Sequence, residues 1–316
     1  MNLNPLSAAY GAVTATRNAL YDSRWLRPRA LQGPVISVGN ISTGGSGKTP
    51  FVILLGELLK ARGIGFDVLS RGYGRVTRGV LLVDPSGLPR DFGDEPLLIA
   101  RRLQAPVVVG EDRYEAGRFA ESRFGARIHL LDDGFQHRGL ARDFDIVLVT
   151  PDDARDRLLP AGRLREPLRS LRRADAVGLT SGASPESFPI AGKTVWRVRR
   201  GIVAQNIPMR PVAFCGVARP QNFLLQLWAA GIDPVAEAFF CDHHAYTEKD
   251  VRDLLQLRQR SEAGGFVTTE KDAVNLGGYL AALAPLAVVP VKMELADAAN
   301  AVDTMLRMIE ERRGRS

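Results

Sequence analysis

The sequence has few cysteines and no long apolar run, and each shortage excludes a class of protein. Cys215 and Cys241 are the two cysteines among 316 residues. They lie too far apart for a CxxC metal or redox motif, and so few thiols are typical of a reducing compartment. No apolar run reaches the roughly 18 residues that a membrane-spanning helix needs, and the first residues lack the basic start and apolar block of a secretory signal. We therefore expect a protein without a spanning helix that stays on the cytosolic side.

Aromatic residues are also scarce, at 7% of the chain, and they do not interleave with the basic runs in the way that would stack nucleic-acid bases. We therefore expect no nucleic-acid partner. Hydrophobic residues at 45% and charged residues at 24% are typical of a folded globular chain, which excludes disordered, collagenous and disulfide-framework proteins. With 42 Lys and Arg against 35 Asp and Glu, the net charge of +7 should attract an anionic partner such as a phospholipid or a phosphorylated substrate.

From residue 34 to residue 150 the chain alternates short β-branched runs with helical stretches, a pattern typical of parallel strands joined by crossover helices. We predict helices that begin near Lys48, Glu95 and Arg113. The predicted strands are 34–39, 66–70, 106–109, 127–131 and 145–149. The pattern indicates a doubly wound, mostly parallel α/β sheet, and ligands of such sheets bind beyond the carboxyl ends of the strands.

The order of a strand, a glycine loop and a helix predicts a phosphate-binding P-loop, here VISVGN, ISTGGSGKTP and FVILLGELLK. Backbone N–H groups of such a loop close around phosphate, a lysine reaches the terminal oxygens and a hydroxyl can ligate Mg²⁺. The pattern departs from the usual motif at Ser42, where a glycine is expected. A glycine-rich structural turn is the alternative. The predicted nucleotide-binding residues are Ser42, Thr43, Gly44, Gly45, Ser46, Gly47, Lys48 and Thr49.

A second strand, ARIHLL, delivers Asp132 and Asp133 at its carboxyl end, where a P-loop protein needs carboxylates for the Mg²⁺ shell. The alternative is a turn at the helix-breaking Gly134. Gln136 and His137 follow at once, so we expect them to point into the same crevice, although a histidine in such a loop is as often a surface residue.

The segment GDEPLLIA places Asp94 at the start of a helix, where it is a candidate base for an acceptor hydroxyl or simply a helix cap. FFCDHHAYT places His243 and His244 just after another strand, and one of them could pair with Asp94 if two lobes close on a nucleotide. Arg71 of SRGYGR and Arg113 of GEDRYEAG could contact phosphate or sugar, or could form solvated salt bridges.

From residue 209 onward the pattern predicts a second, smaller α/β lobe. The runs AFCGVA, VAEAFFCD, GFVTTEKD and LAVVPVKMEL are predicted as its four strands. The alternating run KTVWRVRRGIVAQN, after a Ser/Pro/Gly-rich break, is predicted as a ribbon that links the lobes. We thus expect a P-loop domain over residues 1–185, a ribbon linker over 186–208 and a smaller lobe over 209–316 that closes over the site.

A helix predicted over residues 4–26 carries an apolar stripe, and basic residues accompany it. These are Arg17, Arg24, Arg27 and Arg29. Such a helix can lie on an anionic membrane surface or pack on the protein core. Both possibilities stay open at the level of sequence.

Seven motifs occur in order over nearly the whole chain: GNISTGGSGKTP, SRGYGR, GDEP, LLDDGFQH, LLPAGRLREP, DHHAY and TTEKDA. Together they resemble the tetraacyldisaccharide 4′-kinase family of lipid A biosynthesis, whose loop also lacks the first glycine. The resemblance implies a two-lobed enzyme that uses ATP and Mg²⁺ to phosphorylate the 4′-hydroxyl of tetraacyldisaccharide 1-phosphate, which gives lipid IVA. It also implies a peripheral protein on the cytoplasmic face of the inner membrane, bound to its anionic surface; no protein partner is predicted.

The resemblance further implies roles for individual residues. Asp94 corresponds to the catalytic base and His243 to the residue that pairs with it. Lys48 neutralises negative charge on the phosphates. Thr49, Asp132 and Asp133 match the Mg²⁺ environment. The positions associated with nucleotide or substrate are Arg71, Arg113, Gln136, His137 and Glu166.

Three other functions compete with a kinase. A membrane-partitioning switch ATPase has a signature lysine in its loop, where this chain has Thr43. A GTPase needs an N/T-K-x-D order, which TTEKDA does not supply. A basic nucleic-acid-binding protein would need an aromatic platform or a DNA-reading helix, and neither is evident.

Overall fold

The computed structural model describes residues 5–125 and 127–314. Its helices are α1 (Pro5–Asp22), α2 (Lys48–Lys60), α3 (Pro89–Phe92), α4 (Asp94–Leu103), α5 (Arg113–Phe124), α6 (Pro220–Ala229), α7 (Glu248–Arg260), α8 (Glu270–Leu276) and α9 (Ala298–Gly314). Its strands are β1 (Val35–Asn40), β2 (Phe66–Ser70), β3 (Leu81–Leu82), β4 (Val107–Val109), β5 (Ile128–Asp132), β6 (Phe144–Val149), β7 (Ala176–Thr180), β8 (Thr194–Ile202), β9 (Pro211–Cys215), β10 (Ala236–Phe239), β11 (Gly265–Thr269), β12 (Leu286–Val289) and β13 (Val291–Leu295). No helix within these residues is long and apolar enough to cross a membrane.

The larger of two sheets has the strand order β13-β8-β7-β6-β1-β5-β2-β4-β3. The strands from β8 to β4 run parallel, and the edge strands β13 and β3 are antiparallel to their neighbours. Because β2 and β4 lie on one side of β1 and β6 to β8 on the other, the loop after β1 opens at a topological switch point. The predicted doubly wound α/β fold is confirmed. The five strands predicted between residues 34 and 150, and the starts of the three helices predicted there, lie within one residue of the observed bounds.

Successive side chains of a buried strand point to opposite faces of this sheet, and each face packs against its own layer of helices. Ile36 and Val38 of β1 join one core cluster with Phe51 of α2, and α4 and α9 contribute to the same cluster. Val35, with the opposite side-chain direction, joins another cluster with Ala116 of α5. Helices therefore cover both faces, which is why the central strands are buried on both sides.

The smaller sheet has the order β10-β9-β11-β12 with all strands parallel. Phe214 of β9 packs with Leu254 of α7 on one face, and Ala213 packs with Leu227 of α6 on the other. The predicted second α/β lobe is therefore present, with the same two-sided arrangement as the larger sheet.

The domain boundaries that we predict do not coincide with the boundaries between the two sheets. Residues 186–208 are predicted as a ribbon linker, whereas β8 is a strand of the larger sheet, parallel to β7. LAVVPVKMEL is predicted as one strand, whereas the chain passes from β12 in the smaller sheet to β13 in the larger at Pro290, which has no N–H to continue a ladder. Helix α9 then packs on the larger sheet through Met305. The smaller lobe thus ends before residue 291 rather than at 316.

Helix α1 ends at Asp22 and is fastened to the larger domain by polar contacts. Tyr10 donates a hydrogen bond to the Arg165 carbonyl at 3.1 Å, and Asn18 donates to Glu166 at 2.8 Å. Its outer face is exposed, with Val13 70% accessible. The docked and membrane-facing alternatives are therefore compatible, since the contacts with the domain leave Val13 exposed. The predicted end of the helix at residue 26 is wrong, because α1 ends at Asp22. The predicted first residue, 4, lies outside the described part of the chain.

Candidate active site

A cleft of about 980 Å³ lies between the loop that follows β1 and loops of the smaller lobe. The larger domain contributes Thr43 to Pro50, Asp132, Asp133 and several arginines. The smaller lobe contributes His243, Lys271 and the start of α6. The cleft therefore collects side chains that are far apart in sequence at the carboxyl ends of parallel strands.

The glycine loop itself has the backbone conformation that phosphate binding needs. Gly44, Gly45 and Gly47 have φ values of +65°, +71° and +85°, a region that strains other residues. No side chain caps α2 at Gly47, so the helix N-terminus is open to an anionic ligand. Lys48 Nζ lies 3.3 Å from Asn40 Oδ1 and 3.6 Å from Asp133 Oδ1, which holds the ammonium beside the loop. These residues fit the phosphate chain of a nucleotide.

Ser42, at the unusual first position of the loop, is placed outside the cleft. It is fully buried and forms an antiparallel bridge with Leu164. Its φ is not positive, so the position does not require glycine. The departure from the usual motif therefore has a structural reason, and the structure does not bring Ser42 to the nucleotide side of the loop.

The two adjacent carboxylates after β5 differ in their surroundings. Asp132 is buried; its Oδ2 lies 3.4 Å from the Ser70 hydroxyl, whereas its Oδ1 is buried without a hydrogen-bond partner in the described chain. Burial, followed by the charges of Glu95 and Asp133, raises the pKa of Asp132 to about 7. An orphaned carboxylate oxygen at the cleft, with the Thr49 side chain lining the same cleft, suits a hard cation such as Mg²⁺.

Asp133 instead forms ion pairs with basic side chains of the protein. Arg165 Nη1 and Nη2 donate to its two oxygens at 2.9 and 2.7 Å, and Lys48 lies nearby. Desolvation raises the pKa of Asp133, but Lys48 and Arg165 outweigh it and hold that pKa well below the usual range. Within residues 5–125 and 127–314 no three His, Cys, Asp or Glu side chains cluster as a metal site. Mg²⁺ is bound through one or two carboxylates together with water and substrate phosphates, and Asp132, with its unpartnered Oδ1, is the carboxylate of this pair that fits such a role.

Asp94 of the larger domain and His243 of the smaller lobe are in contact, as predicted. Helix α4 begins at Asp94, and His243 Nδ1 lies 2.9 Å from each carboxylate oxygen. His244, the alternative candidate, lies 3.1 Å from Asp250 instead. Asp94 also accepts a hydrogen bond from the Glu95 backbone N–H at 2.8 Å, but it is the first residue of α4, and the N-cap is Gly93.

Helix α8 of the smaller lobe completes the surroundings of this pair. Asn275 donates to Asp94 at 3.1 Å. Lys271 Nζ lies 3.2 Å from His243 Nε2, 2.8 Å from Asp242 and 3.8 Å from Asp94. Because an ammonium can only donate, this contact makes Nε2 the acceptor and places the proton of a neutral ring on Nδ1, toward Asp94.

The environment shifts both pKa values toward the charged forms. Burial raises the pKa of Asp94, but His243, Lys271 and Asn275 together lower it below its usual value. Burial lowers the pKa of His243, but the Asp94 carboxylate raises it above its usual value. Asp94 is only 5% exposed and does not line the cleft, whereas His243 does. The resemblance implies that Asp94 is the base; in this geometry an acceptor hydroxyl would meet His243 before it meets Asp94.

Four of the five residues predicted at nucleotide or substrate positions line the cleft: Arg71, Arg113, Gln136 and His137. Burial, with a contribution from Arg113, lowers the pKa of His137 to about 4, so this imidazole is neutral at neutral pH. Glu166 does not line the cleft. It is fully buried, accepts hydrogen bonds from Arg173 at 3.0 Å and Asn18, and so fastens α1 rather than facing substrate.

Several cleft residues carry no prediction from sequence. Lys271 and Arg165 belong to the quoted motifs TTEKDA and LLPAGRLREP, so their motifs were a signal, although their partners are remote in sequence. Arg200 and Arg219, which also line the cleft, lie outside the motifs and have no local signal. Their positions follow from the pairing of β8 in the larger sheet and from the loop before α6.

Comparison with known proteins decides the family. The sequence model of the family described as Tetraacyldisaccharide-1-P 4′-kinase (LpxK) matches residues 1–310. The chain belongs to this family. A relative named tetraacyldisaccharide 4′-kinase from Koribacter versatilis is 52% identical over 99% of this chain and 100% of its own length. Another of the same name from Chlorobaculum tepidum is 41% identical over 85% of each chain.

A solved member of the family has the same fold. It is the crystal structure of the apo form of LpxK from Aquifex aeolicus in complex with ATP, with a TM-score of 0.79 and 35% sequence identity. The superposition covers 96% of this chain and 98% of that chain. Fold and sequence therefore agree on a tetraacyldisaccharide 4′-kinase family member over almost the whole chain.

Proposed function

We propose that this protein transfers the γ-phosphoryl group of ATP to the 4′-hydroxyl of tetraacyldisaccharide 1-phosphate and so forms lipid IVA. The observation that carries the proposal is the cleft, in which a P-loop with its lysine faces a carboxylate–imidazole pair contributed by two lobes. Membership of the tetraacyldisaccharide-1-P 4′-kinase family supplies the acceptor. A P-loop alone would leave the acceptor open.

In this proposal the chain acts mainly by positioning charge. The N–H groups of Gly44 to Gly47 hold the phosphates, and Lys48 neutralises their charge, which is the largest contribution that a protein makes to phosphoryl transfer. Asp132 and Thr49 would hold Mg²⁺, which would neutralise charge on phosphate oxygens when bound. Asp133 acts indirectly, since it fixes Arg165 and Lys48 at the edge of the loop.

The Asp94–His243 pair receives the proton of the acceptor hydroxyl. His243 reaches the cleft, and Asp94 holds the imidazole in place and stabilises its protonated form, an arrangement typical of general-base pairs. Lys271 must release Nε2 for this to occur, because it occupies that atom in the present geometry. Arg71, Arg113 and His137 line the same cleft and are proposed to contact the sugar and phosphate of the acceptor.

We propose that the protein binds peripherally to the anionic cytoplasmic face of the inner membrane, since its acceptor is a lipid. The outer side of α1 and the turn after it expose Val13 at 70% and Trp25 at 84%. Arg24 and Arg27 accompany them. Exposed apolar side chains among basic ones are typical of helices that lie in an anionic lipid interface.

Phosphate transfer in mixed micelles tests the proposal. Wild type, Lys48→Met and Lys60→Met would be incubated with γ-labelled ATP and tetraacyldisaccharide 1-phosphate. We expect labelled lipid from wild type and from Lys60→Met, a control on the same helix, and a loss of about 10²-fold or more from Lys48→Met. Hydrolysis of ATP by wild type without labelled lipid would contradict the kinase and favour the switch ATPase.

A further inference from the structure

Two arginines lie against the glycine loop from outside it. Arg200 stands on β8, and its Nη1 lies 3.4 Å from the Gly45 carbonyl. Arg219 immediately precedes α6, and a methyl group on Gly45 would lie 2.7 Å from its Cδ. Both side chains line the cleft that holds Lys48. The same glycine is thus contacted by one arginine from the larger sheet and one from the smaller lobe.

The positive charge of these arginines is poorly matched by the protein. Arg200 forms no ion pair within the described ranges, and its Nε is buried without a hydrogen-bond partner. Arg219 pairs with Asp152 at 3.1 Å, but that carboxylate is 58% exposed, and the buried Nη2 of Arg219 has no partner. Burial and the charge of Arg219 lower the pKa of Arg200, which records the same mismatch. Buried charges normally have a partner, because an unpaired one is costly.

We propose that Arg200 and Arg219 are phosphate-binding residues that hold the nucleotide from the side of Gly45. This proposal rests on the ATP-dependent function proposed above. The ligand class is the phosphate chain of a nucleoside di- or triphosphate, because the arginines contact the loop whose N–H groups cradle such phosphates. Guanidinium groups bind phosphate oxygens through two parallel hydrogen bonds, so the unpartnered Nε of Arg200 and Nη2 of Arg219 are suitable donors.

The arrangement also ties nucleotide binding to the two lobes. Arg200 belongs to the larger sheet, whereas Arg219 belongs to the loop between β9 and α6 of the smaller lobe. A phosphate bound by both would replace the missing counter-charge between them. We therefore expect the nucleotide to hold the smaller lobe against the larger one.

Equilibrium binding by calorimetry tests this without lipid and without turnover. Full-length wild type, Arg200→Met, Arg219→Met and Arg199→Met would be titrated with ATP and, separately, with inorganic triphosphate, in Mg²⁺ buffer. Arg199 is the matched control, since it is the neighbouring residue of β8, is exposed and lies opposite Glu294 in the ladder. Removing it takes the same charge from the same strand.

We expect Arg200→Met and Arg219→Met to raise the Kd for both ligands by about tenfold to a hundredfold, the range for a lost charge-assisted hydrogen bond. Arg199→Met should stay within about twofold of wild type, as is usual for an exposed charge. Arg200→Lys should bind more tightly than Arg200→Met but less tightly than wild type, because lysine keeps the positive charge but lacks the planar guanidinium group. Thermal unfolding of each variant checks that the fold persists.

Three results would overturn the inference. The first is wild-type affinity of Arg200→Met for both ligands. The second is weaker ATP binding with unchanged triphosphate binding, which would make Arg200 a contact of the base or ribose. The third is unchanged nucleotide binding with a higher KM for the lipid, which would assign the arginines to the lipid phosphate. Failure of the kinase proposal is distinguishable, since wild type would then bind ATP but label no lipid.

Discussion

The Asp94 carboxylate is held by groups from both lobes, and Lys271 is the one among them that also touches the imidazole. Its Nζ contacts His243 Nε2 at 3.2 Å and Asp242 at 2.8 Å. An ammonium at this point fixes the tautomer of His243 and balances the charge of Asp94. Lys271 is therefore expected to act through the pair rather than on the phosphates directly.

Replacing Lys271 with methionine should accordingly lower kcat by about tenfold or more while the Kd for ATP changes little, because general acid–base contributions depend on the orientation of the base. Steady-state kinetics and calorimetry measure the two quantities. The control is Lys249→Met, which removes an exposed lysine of α7 in the same lobe. An unchanged kcat, or a loss confined to ATP affinity, would contradict this role.

The two cleft histidines should give opposite pH dependences of stability. The pKa of His243 is raised above the ordinary 6.5, so its contribution to the free energy of unfolding is fully present below pH 6.5 and is lost as pH rises through the raised pKa. Asp94 stays ionised throughout, since its pKa is lowered. The destabilisation caused by His243→Ala should therefore be larger at about pH 6 than at about pH 9, measured by urea unfolding.

His137 provides the contrast, because its pKa is lowered to about 4. The folded state then resists protonation that the unfolded state accepts below pH 6.5, so wild type loses stability there. His137→Ala removes this loss and should gain stability relative to wild type as pH falls from about 6.5 toward 4. The same sign of pH dependence for both variants would contradict these environments.

Sequence predicts the positions of site residues better than it predicts their partners. Asp132 and Asp133 are predictable because a carboxylate after a buried strand must emerge at the carboxyl end of the sheet. The difference between the surroundings of Asp132 and Asp133 is not predictable, because it depends on Arg165, which is 32 residues away from Asp133 in sequence. Glu166 is misplaced by sequence reasoning for a similar reason, since its partner Asn18 lies on α1.

At the scale of elements, the two sides of α1 have different surroundings. Its inner side is fixed by Tyr10 and Asn18, while the exposed side carries Val13, and Trp25 lies just beyond its end. The outer side chains make no contribution to the core, so they can be changed without unfolding the domain. This allows the membrane proposal to be tested separately from the fold.

The double variant Val13→Ser and Trp25→Ser should bind anionic phospholipid vesicles several-fold more weakly, about tenfold if both side chains enter the interface, because each loses apolar burial. Co-sedimentation with vesicles measures it. Met209→Ser is the control, since Met209 is 84% exposed but lies in the smaller lobe. Equal sedimentation of the double variant and wild type would contradict the role of this face.

The five strands predicted between residues 34 and 150 are predictable because each is a short segment rich in β-branched and other apolar residues, and helical stretches separate them. The passage of the chain from one sheet to the other is not predictable, because β12 and β13 are separated by a single residue, Pro290, and so form one run in the sequence. Their assignment to different sheets depends on β8, which offers an edge to β13. That edge is a property of the folded sheet and not of either segment.

At the scale of the whole molecule, the function depends on two lobes meeting at one cleft. The larger domain supplies the glycine loop, Asp132 and Asp94, and the smaller lobe supplies His243 and Lys271. The chain also crosses back from the smaller lobe through β13, so the lobes are joined by two connections. A two-lobed architecture is predictable from the runs of strands, whereas its second connection is not.

We propose that Asp94 and His243 act as one unit in phosphoryl transfer. The most direct test of this proposal compares transfer of labelled phosphate to tetraacyldisaccharide 1-phosphate by wild type, Asp94→Asn, His243→Ala and the double variant, with ATP binding measured in parallel. His244→Ala is the control, because that imidazole pairs with Asp250 instead. We predict that each single change lowers kcat by about 10²- to 10⁴-fold with ATP affinity retained, and that the double variant loses little more. Losses that multiply in the double variant, or transfer at the wild-type rate by either single variant, would contradict the account.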